Sequence, residues 1–170
     1  QGPDFLGGIE RLETFRDLAN RAKKNHEVVH RCVEMVQPPE RVQADLNIDP
    51  DTNVFRVEIV ESVEGITCQF LEDYVIASED KEEELLNYGD SMLTYLIDEQ
   101  DPPLAYARTK IFSIQATPEI ADRLNIEPGN PVLHLVEKLY DVVGNLIGIT
   151  YLYQVTDHFY FSVTRRVPPR

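Results

Sequence analysis

The 170-residue chain carries 30 acidic against 16 basic side chains, a formal net charge of −14, and is 42% hydrophobic. That field repels phosphate backbones, so the chain is a poor grip for nucleic acid, and no apolar run approaches the roughly 20 residues needed to cross a bilayer. Cys32 and Cys68 form neither a CxxC pair nor a disulfide framework, which suits a reducing cytoplasm.

Gln1-Gly2-Pro3 has neither a Met nor the layout of a signal peptide and reads as a cut within a longer chain; the length from 1 to 170 suits one domain. Thr14-Phe15-Arg16-Asp17 opens a helix with Phe15, Leu18, Ala19 and Ala22 on one face. Lys23-Lys24-Asn25 stops it, with Asn25 expected as the left-handed cap. Next comes HEVVH, His26 to His30, which matches the HExxH pattern of zinc hydrolases, where two imidazoles one helical turn apart share the metal. The β-branched run Val28–Val36 instead predicts a strand. On a strand the two histidines would stand roughly 13 Å apart, too far to share an ion. His134 and His158 add no ligand spacing, so no metal is expected. No G-x-S-x-G, P-loop or G-x-G-x-x-G occurs, and neither catalytic residues nor a cofactor are expected.

The rest of the chain repeats itself. Leu46-Asn47-Ile48-Asp49-Pro50 returns as Leu124-Asn125-Ile126-Glu127-Pro128, an offset of 78, with Gln37 and Gln115 in the same relation and Gly65 and Gly144 one residue from it. In the second copy Thr117-Pro118-Glu119 starts a short helix carrying Ile120, Ala121 and Leu124. Val132–Leu139 then forms a strand, and Gly144-Asn145 turns it into Leu146–Tyr153. In the first copy Phe55, Val57 and Ile59 alternate with Arg56 and Glu58. Upstream, Ser91 opens a helix at an offset of 77 from Thr14, and Lys110–Gln115 copies the HEVVH strand without its histidines. The acidic run Ser78–Leu86 joins the halves, its charges expected on a solvated loop or helix face. These elements predict an α+β domain, internally duplicated about a pseudo-twofold axis, with helices packed on one face of an antiparallel sheet.

Five segments, in order, resemble the UTRA domain of GntR-type regulators of the HutC subfamily. Ile9–Phe15 is similar to the family's RL-x-[ST]-F opening, and Ser91–Leu96 to its SLYELL helix. Ala121–Asn130 is similar to its A-x-x-L-x-I-x-x-G turn, Tyr140–Gly144 to its YD-x-x-G hairpin, and Asp157–Phe161 to its closing DR-[YF]-x-F strand. The resemblance implies a chorismate-lyase-like fold and a cytoplasmic, non-catalytic homodimer that binds a small-molecule effector. It also implies that operator DNA is contacted only through an N-terminal winged helix-turn-helix of about 70 residues, absent from this chain.

It further implies a pocket. Relatives that take sugar phosphates set the phosphate against two helix starts and a pair of strand arginines. The helix starts correspond to Thr14 and Ser91, but the arginine positions fall on Ile59 and Glu61. The acid of the next strand falls on Leu71, and a sugar-contacting acid and tyrosine fall on Gly148 and Gln154. The expected effector site is Thr14, Phe15, Ile59, Glu61, Leu71, Ser91, Arg108 and Gln154, less cationic and more apolar than a sugar-phosphate pocket. Glu61 is expected to meet a cationic or hydroxylated effector, or to pair with Arg56 or Arg108. A free-standing lyase of the same fold is the rival from another class; it needs buried arginines, for which Arg56 and Arg108 are the only strand candidates.

Overall fold

Side chains alternate across a strand, so each strand of this sheet serves two faces, and the chain fills them differently. The computed structural model describes residues 5–89 and 91–170; the expected cut at Gln1–Pro3 lies outside them. In chain order the elements are β1 (Phe5–Gly8), α1 (Phe15–Arg21), β2 (His26–Val36), α2 (Glu40–Leu46), β3 (Val54–Val63) and β4 (Ile66–Ile76). A 3₁₀ turn (Glu79–Lys81) leads to α3 (Glu82–Asn87), α4 (Met92–Asp98), β5 (Leu104–Gln115), α5 (Pro118–Leu124), β6 (Pro131–Asp141), β7 (Leu146–Gln154) and β8 (Phe159–Ser162). Strands β2 to β7 form one antiparallel sheet in the order β2-β3-β4-β7-β6-β5, and β1 pairs with β8 in parallel. The run α1-β2-α2-β3-β4 thus recurs as α4-β5-α5-β6-β7, with the sheet symmetric about the β4–β7 seam.

The local signals act as their chemistry requires. Thr14 and Ser91 cap α1 and α4 by accepting from the backbone N–H of Asp17 and Thr94, each at 3.0 Å. Thr117 caps α5 through the N–H of Ile120, with Pro118 at the first helical position. The repeated Asn explains the LNIDP–LNIEP echo: Asn47 and Asn125 end α2 and α5 in the left-handed region, with φ of 52° and 55°. The β6–β7 turn is held by the Asp141 carboxylate, which accepts from the N–H of Val143 and Asn145 and from the Asn145 side chain, while Gly144 supplies φ +98°. One stop signal is displaced. The left-handed residue after α1 is Lys23, at φ 56°, not Asn25, whose N–H instead donates to the Glu64 carboxylate at 2.8 Å.

Helices cover both faces of the sheet, not one as expected. On one face α2 and α5 lay Val42, Leu46, Ile120, Ala121 and Leu124 over Val54, Val60, Phe70, Tyr74, Ile149, Tyr151 and Tyr153. On the other, α3 and α4 set Leu85, Met92, Tyr95 and Leu96 against Phe55, Val57, Ile59, Val75 and Leu139. Beside them α1 packs Phe15, Leu18 and Ala19 onto Val63, Cys68 and Phe159. Each fully buried aliphatic side chain of this kind is worth about 1.5–3 kcal/mol over an exposed one.

The α2/α5 face also hosts an ion network. Arg56 pairs with Glu58, with Glu72 at 3.0 Å and with Glu34 at 3.2 Å. Arg41 reaches Glu72 at 2.7 Å, Arg123 reaches Glu58 at 2.7 Å, and His30 stands 3.2 Å from Glu58. Burial works against the charge on Glu72, but Arg41 and Arg56 hold its carboxyl below the usual range.

The seam between the halves is tight. A Cβ added at Gly148 would lie 2.8 Å from the Tyr74 carbonyl oxygen, a backbone atom with nowhere to go. Gly148→Ala should therefore lower stability by about 1–3 kcal/mol through overpacking. The measurement is the urea midpoint at unchanged m; a shift under a few tenths of a kcal/mol would mean that the seam yields.

Candidate functional site

On the sheet face beneath α1 and α4 the two coverings leave a cavity of about 290 Å³. Its floor is contributed by both repeats: Ile59 and Glu61 from β3, Gln69, Leu71 and Asp73 from β4, Leu135, Glu137 and Leu139 from β6, and Thr150 and Leu152 from β7. Thr14, Phe15 and Leu18 of the first helix and Ser91, Met92 and Leu96 of its copy form the walls, with His26 and Val28 at the β2 side. Arg11, Arg16 and Arg31 stand exposed around the mouth.

Of the residues singled out in the sequence, Thr14, Phe15, Ile59, Glu61, Leu71 and Ser91 are brought around this one cavity. Gln154 is fully buried on the same face, one alternate step past Leu152. Its Nε2 donates to Gln69 Oε1 at 3.2 Å, and its own Oε1 has no hydrogen-bond partner among the described residues. Arg108 is not brought there. It pairs across the ladder with Lys138, on the opposite face from Ala107 and Leu139, and lies exposed with its guanidinium 5.6 Å from the Tyr140 ring. One residue of strand register separates it from the cavity face. Arg56 is likewise committed to the opposite face, so neither arginine offered for a lyase reaches the cavity.

Glu61 pairs with His26, not with Arg56 or Arg108. His26 Nε2 lies 2.5 Å from Glu61 Oε2, and Gln69 Nε2 donates to Glu61 Oε1 at 3.1 Å. Gln154, Gln69, Glu61 and His26 therefore form one hydrogen-bonded chain across β7, β4, β3 and β2. The same strand settles the geometry of HEVVH. The β2–β3 register shifts between Val28 and His30, so Val29 is an extra residue, a bulge. His26 consequently faces the cavity while His30 faces Glu58 and Arg123 on the far side. The two imidazoles point away from each other.

Asp73, Glu137, Gln69 and Thr150 were not singled out in the sequence. Their signal is an acid or amide inside a strand that is otherwise buried, as in Gln69-Phe70-Leu71-Glu72-Asp73-Tyr74-Val75. Such groups need partners or a ligand. Asp73 is 7% exposed and accepts from the Thr150 hydroxyl at 2.5 Å. Burial pushes its carboxyl up to about 7; the Thr150 hydrogen bond opposes the shift, and the charges of Glu137 and Glu61 add to it. Burial also raises the Glu137 carboxyl, against a hydrogen bond from Thr109 at 3.1 Å.

These acids cost the fold stability. A carboxyl whose folded pKa lies above its unfolded one contributes stability below the unfolded value and loses it as pH rises through the folded one. For Asp73 that window runs from about 4 to about 7. Asp73→Asn keeps a side-chain oxygen as acceptor for Thr150 and removes the buried charge. At pH near 8 it should be more stable than the parent by about 1–3 kcal/mol, the gap closing as pH falls toward 4. Denaturation curves at several pH values test this; a variant less stable at pH 8 would show that the carboxylate is compensated.

The comparisons agree with this architecture. Residues 22–160 match the UTRA domain. No curated protein matches the chain in sequence. Among solved structures, PhnF from Mycobacterium smegmatis superposes with TM-score 0.80 at 15% identity over 98% of this chain and 74% of that one. The effector domain of PhnF superposes with TM-score 0.77 at 15% identity, covering 95% of this chain and 99% of the other. The ligand-binding domain of a GntR-family transcriptional regulator from Bordetella bronchiseptica gives TM-score 0.71 at 16% identity over 84% and 91% of the two chains. At such identities the likeness is one of fold: the α+β, chorismate-lyase-like sheet of GntR regulator effector domains. The chain belongs to the UTRA domain family.

Proposed function

We propose that this chain is the effector-sensing and dimerising part of a cytoplasmic GntR regulator of the HutC type. It binds a small metabolite other than a typical sugar phosphate and reaches operator DNA only through a separate winged helix-turn-helix. The observation that carries this reading is the cavity itself, roofed by the two equivalent helix starts and floored by strands of both repeats. A ligand there touches both halves of the domain and can bias their arrangement by as much as its affinity for the two arrangements differs. The near-complete mutual coverage with the PhnF effector domain supports the same role. The shortage of cations on the floor speaks against a phosphate dianion, which would meet Glu61, Asp73 and Glu137. Neither arginine expected to serve lyase chemistry is in place for it, since Arg56 and Arg108 stand on the opposite face. For the homodimer, the edge strand β5 offers Tyr106, Ile111 and Phe112, all exposed, beside unpaired backbone groups.

A thermal-shift screen of small metabolites tests the reading. At least one compound should raise the melting temperature saturably, by RT ln(1 + [L]/Kd) in free energy, and lose that effect in Leu71→Phe, which narrows the cavity. Release of 4-hydroxybenzoate from chorismate, or hits that ignore Leu71→Phe, would overturn it.

A further inference from the structure

The floor of the cavity joins a broad apolar surface to three carboxyl groups. Ile59, Leu71, Leu135, Leu139 and Leu152 supply the apolar part. Of the three acids, Glu61 has both oxygens engaged, by His26 and Gln69. Asp73 and Glu137 differ: each accepts a single hydroxyl proton, from Thr150 and Thr109, and among the described residues no cation is paired with either. Asp73 is more than nine-tenths buried, and the oxygen it does not give to Thr150 has no partner among the described residues. Further along β7, opposite Gln69 and Leu133, the side-chain oxygen of Gln154 is fully buried and also without a partner among the described residues. Buried acceptors of this kind are costly unless a donor arrives. Among the described residues no group of three or more His, Cys, Asp and Glu is placed to hold a metal ion, which argues against a bare cation as that donor. An ammonium group supplies several N–H donors and a full charge, and hydrocarbon attached to it matches the five aliphatic side chains.

We propose that the cavity takes a protonated amine carried on an apolar body, its ammonium held between Asp73 of the first repeat and Glu137 of the second. This rests on the effector-site reading above and names the chemical class of the effector. The groups facing Asp73 are Glu61 with its partner His26 on β3 and β2, Glu137 on β6 and Thr150 on β7; Glu13, Arg11, Arg16 and Arg31 stand at the mouth. An ammonium selects the ionised Asp73, so affinity should rise with pH between about 6 and 8, over which an alkylamine stays protonated.

Three isosteric probes decide the matter on the whole chain: phenethylamine, 2-phenylethanol and 3-phenylpropanoate, followed by methyl NMR shifts of Ile59, Leu71, Leu135 and Leu152. Phenethylamine should bind at least about tenfold more tightly than the alcohol, and the carboxylate should not bind. Asp73→Asn, a stabilising change in the empty domain, should weaken the amine about tenfold or more and leave the alcohol unchanged, and Glu137→Gln should act in the same direction. Equal binding of amine and alcohol, or indifference of the amine to both substitutions, overturns the proposal. If glucose 6-phosphate or inorganic phosphate shifts these methyls and the amine does not, the amine class falls while the effector site stands. If no compound of either set moves them, both fall.

Discussion

The pairing of β4 with β7 is the interaction on which the rest depends. Among the described residues it is the only ladder joining the two repeats within the six-stranded sheet, and Gly148 allows the close approach to the Tyr74 carbonyl. Antiparallel pairing there puts equivalent strands at equal distances on either side, so β3 faces β6 across the seam and β2 and β5 become the edges. Each repeat then contributes one helix to each face. On the α2/α5 side the helices settle directly onto the sheet, and the charges they cover neutralise one another in the Arg41–Glu72–Arg56–Glu58–Arg123 network. On the other side α1 and α4 approach from opposite ends, and their packing leaves the centre open. The cavity is thus a consequence of symmetry, and it sits where both halves meet.

Polar groups on that open face divide by how far they are satisfied. The chain from Gln154 through Gln69 and Glu61 to His26 crosses four strands and engages both Glu61 oxygens, leaving Gln154 Oε1 over at its far end. Such a network orients its members and makes the β2 end of the cavity rigid. Asp73 and Glu137, by contrast, keep one hydroxyl partner each. Charges on one sheet face are therefore arranged in two styles: self-contained at one end and unfinished in the middle. Unfinished polar groups in an interior are where a protein gives up stability for recognition.

Much of this was legible because it is local. The caps at Thr14, Ser91 and Thr117, the left-handed Asn47 and Asn125 and the glycine of the β6–β7 turn are properties of a few adjacent residues. The duplication then carries the topology, since two copies of one unit suggest a twofold axis. What stayed hidden depends on register. A single extra residue, Val29, sends His26 and His30 to opposite faces, and no pattern within HEVVH announces it. Arg108 missed the cavity by one step of alternation, and Arg56 was drawn off by acids 16 and 22 residues away in sequence. Helices on both faces were missed for a related reason: strands buried on both sides read as apolar runs and do not reveal which side a helix takes.

A buried carboxylate is a source of bias as well as of cost. The domain holds Asp73 partly protonated near neutral pH, because burial raises its carboxyl to about 7. Any ligand that makes the charge favourable recovers free energy that folding had forgone, and it does so at a point where β4 of one repeat faces β6 of the other across β7. The gain depends on both acids being close enough to share the ligand, so it differs between arrangements of the halves. That difference is what a sensor requires, since an effector shifts a conformational equilibrium only through unequal binding to its two states. The tight seam at Gly148 limits movement between the strands themselves. The first turns of the short helices α1 and α4 wall the cavity, and both helices pack apolar side chains onto the sheet, so a ligand there touches helix and sheet of both repeats.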